Sequence, residues 1–317
     1  MKNLLVLVLV FTLLITSEVF ADEQKTITIN MISPAGVRNN FLRILTDQIQ
    51  KSRSDVKFVF AIHVGAAELI ALRNLATSAP MDNKVGVFSM NALNSIAILN
   101  EKEAREPIEK LSFVLHLVEI PTAIITNPKS LINSPKDLIN YIKNSALTAG
   151  SPGRGALPYW LYVIEKAGGN LKNFQYINYN GPTVGILDVV SNRLEFAAMN
   201  IGDVAPMIRA GKIKPIGLAS RQKLAAFPEL PLIPDYLPGA TYSAVWVLAM
   251  APGSTAEQVT FIRDMFVLAM NQPECLQFIQ DNYMQVRPEF QSPESAVKRM
   301  LDLRKKWRPY ILDSDSQ

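Results

Sequence analysis

Strand-period and helix-period segments alternate along almost the whole chain, which confines it to an α/β architecture built on a largely parallel sheet. Ile27, Ile29 and Met31 alternate as a first strand, and Phe41, Leu42, Ile44, Leu45 and Ile49 then recur at helical spacing. The same change of period predicts strands over 56–62 and 85–88, helices over 68–77 and 92–100, and an apolar strand pair over 111–118 and 122–126. Further along, strands are expected at 147–149, 174–179, 194–200, 213–219 and 242–250, with helices between most of them. Ser134-Pro135-Lys136-Asp137 supplies an N-cap, a first-turn proline and a capping acid for a helix through Lys143. Gly211 suits the left-handed position that closes a helix over 203–210. Phe227 to Pro234 holds three prolines and reads as an irregular crossing segment. Residues 254–257 cap a helix with a core stripe at Val259, Ile262, Met265, Phe266 and Ala269; further helices follow Pro273 and Ser292-Pro293.

Two of the strand-to-helix junctions are rich in glycine and small residues: Ser33-Pro34-Ala35-Gly36-Val37-Arg38-Asn39-Asn40, and Gly150-Ser151-Pro152-Gly153-Arg154-Gly155. Such a turn directs backbone N–H groups at one spot, where the helix dipole also favours negative charge. One arginine in each turn points to a single anion held between two units. Other candidates come from the rule that ligands of open α/β sheets lie beyond the carboxyl ends of the strands. They are Ser89 and Asn91, the turn Asn180-Gly181-Pro182-Thr183, and Asn200 with Asp203. Asp203 is expected to cap its own helix, since an acid in an anion cleft would repel. Trp246 is placed either to stack on a ligand or to fill the core.

Lys2, the apolar run from Leu4 to Ile15 and the ending Val19-Phe20-Ala21 form the three regions of a secretory signal peptide, with cleavage expected after Ala21. The run is shorter than the roughly 20 residues that a membrane span needs. The net charge of +4 is too small to argue for nucleic acid, and no basic stripe with interleaved aromatics is present. One cysteine and two separated histidines, His63 and His116, leave no disulfide framework and no zinc set. Ser151 lacks nucleophile-elbow spacing because Ala149 stands two residues before it, and no GxGxxG turn or P-loop ending occurs. No cofactor, metal or catalytic set is expected.

Five segments together resemble the Bug family of periplasmic solute-binding receptors, the TctC-like extracytoplasmic component of tripartite tricarboxylate transporters. They are Ile29–Asn40 (INMISPAGVRNN), Leu147–Ala156 (LTAGSPGRGA), Tyr179–Val190 (YNGPTVGILDVV), Leu194–Ala219, and Phe227–Pro231 (FPELP) with Val245–Gly253 (VWVLAMAPG). The resemblance implies a type II periplasmic binding fold: two α/β lobes, residues 22–126 plus 240–317 and residues 127–239, with a ligand cleft between them. It further implies a monomeric receptor that captures a small mono- or dicarboxylate through N–H groups and hydroxyls of the two turns and passes it to membrane permease subunits.

The chain departs from the family pattern in both turns. Val37, Arg38, Asn39 and Asn40 replace the glycines and acid that usually follow Pro34-Ala35-Gly36, and Arg154 stands where small or polar residues are usual. Losing glycine removes freedom for close backbone approach, while a guanidinium offers a bidentate carboxylate partner. Arg154 and Arg38 are therefore expected to contact a ligand carboxylate. Competing readings are a receptor feeding a membrane sensor and an exported hydrolase or lyase, the latter having only His63 or an unmarked carboxylate as base.

Overall fold

The computed structural model describes residues 24–31, 36–63, 68–152, 155–179 and 181–314. Pro34, Ala35, Gly153, Arg154 and Asn180, together with the leader segment 1–21, lie outside the described residues. The alternation becomes β1 (Lys25–Met31), α1 (Val37–Ser52), β2 (Val56–Ile62), α2 (Leu69–Ala76), β3 (Lys84–Ser89) and α3 (Met90–Leu99). A π-helical turn leads into α4 (Glu106–Lys110), and then come β4 (Ser112–Thr126), α5 (Pro135–Asn144), β5 (Leu147–Pro152), α6 (Leu157–Ala167), β6 (Phe174–Tyr179) and α7 (Pro182–Val190). The remainder is β7 (Phe196–Asn200), α8 (Ile201–Arg209), β8 (Lys214–Leu218), α9 (Ile233–Tyr236), β9 (Ser243–Met250), α10 (Ala256–Met270), α11 (Pro273–Asp281) and α12 (Pro293–Ser314).

Among the described residues, nine strands make one sheet in the order β2-β1-β3-β9-β4-β7-β5-β6, with β8 also on β4. β1, β2 and β3 are mutually parallel, as are β5, β6 and β7, whereas β9 and β4 run antiparallel to their neighbours. Two halves thus share one strand. β4 pairs with β9 from Ser112 to Pro121 and with β7 from Thr122 to Thr126.

That sharing corrects the expected strand pair at 111–118 and 122–126, which is one 15-residue strand. Pro121 lacks an N–H, and it falls where β4 exchanges one partner for the other, so few ladder bonds are lost. A second correction concerns the glycine-rich junction: the strand expected to end at Ala149 runs on through Gly150, Ser151 and Pro152, paired with Ile177, Asn178 and Tyr179 of β6. Pro152 is tolerated there because β7 pairs with β5 only at Ala149 and Gly150, leaving that edge open. A third concerns Asp203. α8 begins at Ile201 with Asn200 at its N-cap, so Asp203 sits in the first turn rather than at the cap. The proline-rich crossing is also less irregular than expected, since Leu232 bridges Leu218 in parallel and Ile233 opens α9. The predicted caps at Ser134 and Thr255 form, and Gly211 takes φ 64.

Both sheet faces are covered. Ile29, Phe41, Leu45, Leu248 and Phe266 pack in the largest core, which continues through Val118 and Ile120 into Ala197, Met199 and Val204 of the other half. On the opposite face, Phe88, Leu93 and Val247 form the core of the β1 half, and Tyr159, Trp160, Phe196 and Trp307 that of the β7 half. α12 packs against α3, β4 and α6 and so ties the two halves together. No helix of the described residues is long and apolar enough to cross a membrane.

Candidate ligand cleft

The register of β4 sets two groups of strand ends against each other. Ser89, the last residue of β3, pairs with Trp246, which pairs in turn with Val118 of β4. Asn200, the last residue of β7, pairs with Thr122. β7 runs against β4 while β3 runs with it, so the two carboxyl ends face one another across the four residue steps from Val118 to Thr122. At roughly 3.3 Å per residue that is an offset of about 13 Å measured along β4.

Four of the helices that follow parallel strands start without a side-chain cap among the described residues. α1, α6, α7 and α8 open at Gly36, Ala156, Gly181 and Asn200 without a side-chain cap bond. By contrast α5 and α10, which follow loops, are capped by Ser134 and Thr255. Gly36 and Gly181 adopt φ 117 and φ 131, conformations that L side chains rarely take, and Pro182 and Thr183 form the exposed or half-buried first turn of α7. Orphan N–H groups at a helix start accept an anion readily.

On the β1 side the predicted residues meet around one ion pair. Arg38 Nη1 donates to Glu68 Oε1 at 2.9 Å and to the Val87 carbonyl at 3.3 Å, and its guanidinium lies 5.2 Å from the centroid of the Trp246 ring. Glu68 Oε2 accepts from the Ser89 N–H at 2.8 Å, and Ser89 Oγ caps α3 by accepting from the Ala92 N–H. Trp246 therefore belongs to the core and also floors the arginine. Asn39 is buried, and the Asn40 N–H closes the first turn of α1 on the Gly36 carbonyl while its side chain is exposed. Glu68 escaped the sequence reading. Its one signal in the sequence is its place after β2, a parallel strand end where His63 is the other candidate.

Where the chain crosses between the halves, Asn91 Nδ2 donates to the Ser243 carbonyl at 3.1 Å, and a Cβ on Gly155 would lie 3.2 Å from the Tyr242 hydroxyl. Asn91 and Gly155 thus flank the same crossing residues from the two halves. Gly150 is held tightly, since a Cβ there would come within 2.6 Å of the Ile177 carbonyl, and the Ser151 and Tyr176 hydroxyls are 2.5 Å apart. Asn200 hydrogen-bonds Asp203, but burial dominates and raises the Asp203 carboxyl to about 6.

The two histidines sit just past the end of β2 and within β4. The His63 N–H continues the β1–β2 ladder onto the Met31 carbonyl. His116 is fully buried and stacked on Phe290 at 5.6 Å, and burial pushes its imidazole down to about 4. Among the described residues, no group of three His, Cys, Asp or Glu side chains could hold a metal ion. A cavity of about 630 Å³ opens beside the crossing strands, lined by Glu119, Arg287, Arg299, Lys306 and Tyr242; among the described residues, Asn91 is the one predicted site residue that reaches it.

The fold is that of the periplasmic binding proteins. The solved structure of MatC from Rhodopseudomonas palustris with bound malate aligns with a TM-score of 0.76 at 18% identity, over 90% of this chain and 99% of that one. The periplasmic binding protein BugD aligns with a TM-score of 0.76 at 16% identity, over 92% and 98%. Within this class the chain belongs to the tripartite tricarboxylate transporter receptor family, whose model matches residues 57–314. A UPF0065 protein of Bordetella bronchiseptica is 24% identical over 237 residues, 73% of this chain and 69% of its own length. The receptor class expected from the five sequence segments is thereby established, and an exported enzyme is not what this family contains.

Proposed function

We propose that this protein captures a small carboxylated metabolite between two lobes, residues 22–126 with 240–317 and residues 127–239, and delivers it to the membrane permease subunits of a tripartite transporter. The observation that carries this reading is the opposed strand ends at Ser89 and Asn200, together with the starts of α1, α6, α7 and α8, which carry no side-chain cap. The malate held by the structural relative supports a carboxylate as the ligand class. A leader cleaved after Ala21 would deliver the mature chain to the periplasm as a monomer. Closure of the lobes around the solute then presents the loaded form to the permease.

Within the second turn, Arg154 supplies the guanidinium for the bound carboxylate. Removing a buried charged partner costs about 2 to 5 kcal/mol, so Arg154→Ala is expected to weaken binding by roughly thirtyfold or more while the melting temperature of the free protein stays unchanged. The first experiment is a thermal-shift screen of di- and tricarboxylates, amino acids and aromatic acids. A solute at 100 times its dissociation constant adds about 2.7 kcal/mol, a shift of several degrees for a chain of this size. A screen without any shift would count against the reading.

A further inference from the structure

Glu68 stands at the N-cap of α2 with φ 81 and ψ −6, in the left-handed region where a non-glycine residue is uncommon. A strained backbone of this kind persists only where its surroundings hold it, and here the holding groups are those a carboxylate ligand would use. One carboxyl oxygen takes the Arg38 Nη1–H at 2.9 Å, and the other takes the Ser89 N–H at 2.8 Å at the start of α3. The carboxylate is nearly out of solvent, with its side chain 8% exposed against 16% for Arg38. A cation and a backbone donor at the end of β3 are thus already satisfied by the protein's own acid.

We infer that Glu68 is a built-in carboxylate seated in the anion donors of the β1-side wall, so that the solute taken here is a monocarboxylate whose far end carries no negative charge. The inference rests on the reading of the cleft as a carboxylate site. With its single ionised group on the α6, α7 and α8 side, such a solute turns a neutral end toward an Arg38–Glu68 pair whose charges cancel. A dicarboxylate of the same length would bring its second anion up to Glu68, where a like charge in a desolvated wall is disfavoured. Arg38 and the Ser89 N–H would still be engaged by Glu68.

The test compares calorimetric titrations of succinate and butyrate, four-carbon acids that differ in the second carboxylate, on the wild-type protein and on Glu68→Gln. Butyrate is expected to bind the wild type more tightly than succinate does. Glu68→Gln is expected to raise succinate affinity at least tenfold and to change butyrate affinity less than threefold. Glu68→Gly is the companion variant: it removes the acid at a backbone position that glycine adopts without strain, which offsets part of the cost of leaving Arg38 without its partner, and it should repeat the succinate gain. Equal or reduced succinate affinity in both variants overturns the inference and leaves the receptor reading intact, because Glu68 then only orients Arg38. If neither acid nor any other carboxylate of the screen binds with or without Glu68, the inference and the reading of the cleft as a carboxylate site fall together.

Discussion

Gly202 of α8 lies so close to Asn282, at the end of α11, that a Cβ on it would stand 3.1 Å from the Asn282 carbonyl oxygen. The contact joins the β7 half to the β1 half. Asn282 cannot easily withdraw, because both its backbone N–H and its Nδ2 donate to the Phe278 carbonyl. Alanine would recover up to about 1 kcal/mol of helix propensity against a squeeze of a few tenths of an ångström, so Gly202→Ala is expected to be near neutral. Gly202→Val adds branching that the interface cannot absorb and is expected to destabilise by about 1–3 kcal/mol. Urea denaturation of the two variants reads the difference.

A buried charge network holds the crossing strand. Glu119 of β4 is 4% exposed and receives Arg299 at 2.8 Å and Arg287 at 3.6 Å. Its backbone also exchanges both hydrogen bonds with Gln285. Replacing the carboxylate leaves two guanidinium groups in a poorly solvated place without their counter-charge. Glu119→Gln is expected to cost about 3–5 kcal/mol in chemical denaturation. Sodium chloride at 0.5 M should leave that difference almost unchanged, since buried pairs are screened far less than exposed ones.

His116 makes stability depend on pH. Its buried imidazole stays neutral in the fold down to about 4, whereas the unfolded chain takes up the proton near 6.5. The folded value is depressed, so this contribution is complete above pH 6.5 and is lost as pH falls toward 4. Between pH 7.5 and pH 5 the loss is about 2 kcal/mol. His116→Leu removes it, and the unfolding free energy of the variant should therefore fall less than that of the wild type over the same interval.

Asp203 gives binding a pH dependence of its own. Burial raises its carboxyl to about 6, so it is neutral below that pH and charged above it. A bound carboxylate near the start of α8 would favour the neutral form and raise this value further. Affinity is then expected to fall between pH 5 and pH 7.5, by about tenfold for each unit of that further rise. Asp203→Asn should lose this fall in affinity, as calorimetry of both proteins at the two pH values would register.

Local chemistry made much of this molecule legible. The caps at Ser134 and Thr255, the left-handed Gly211 and the alternation of periods depend on neighbours in sequence, and they form as the residues dictate. The strand ends carrying Ser89 and Asn200 followed from the same alternation. What escaped depends on distant partners. Glu68 meets Arg38 thirty residues away and Ser89 twenty-one residues away, and nothing in its own segment separates it from an ordinary first-turn acid. Gly150-Ser151-Pro152 has the composition of a turn, but pairing with β6 keeps it extended. Pro121 likewise signals a break, and only the change of partner from β9 to β7 shows why β4 passes through it.

Capture of a solute without chemistry is the central claim, and equilibrium dialysis of the purified protein against a panel of small mono- and dicarboxylates tests it most directly. The account predicts that one solute is retained at one molecule per chain and is recovered, by mass spectrometry, with its mass unchanged. A panel from which nothing is retained, or a retained solute recovered as a different compound, would contradict it.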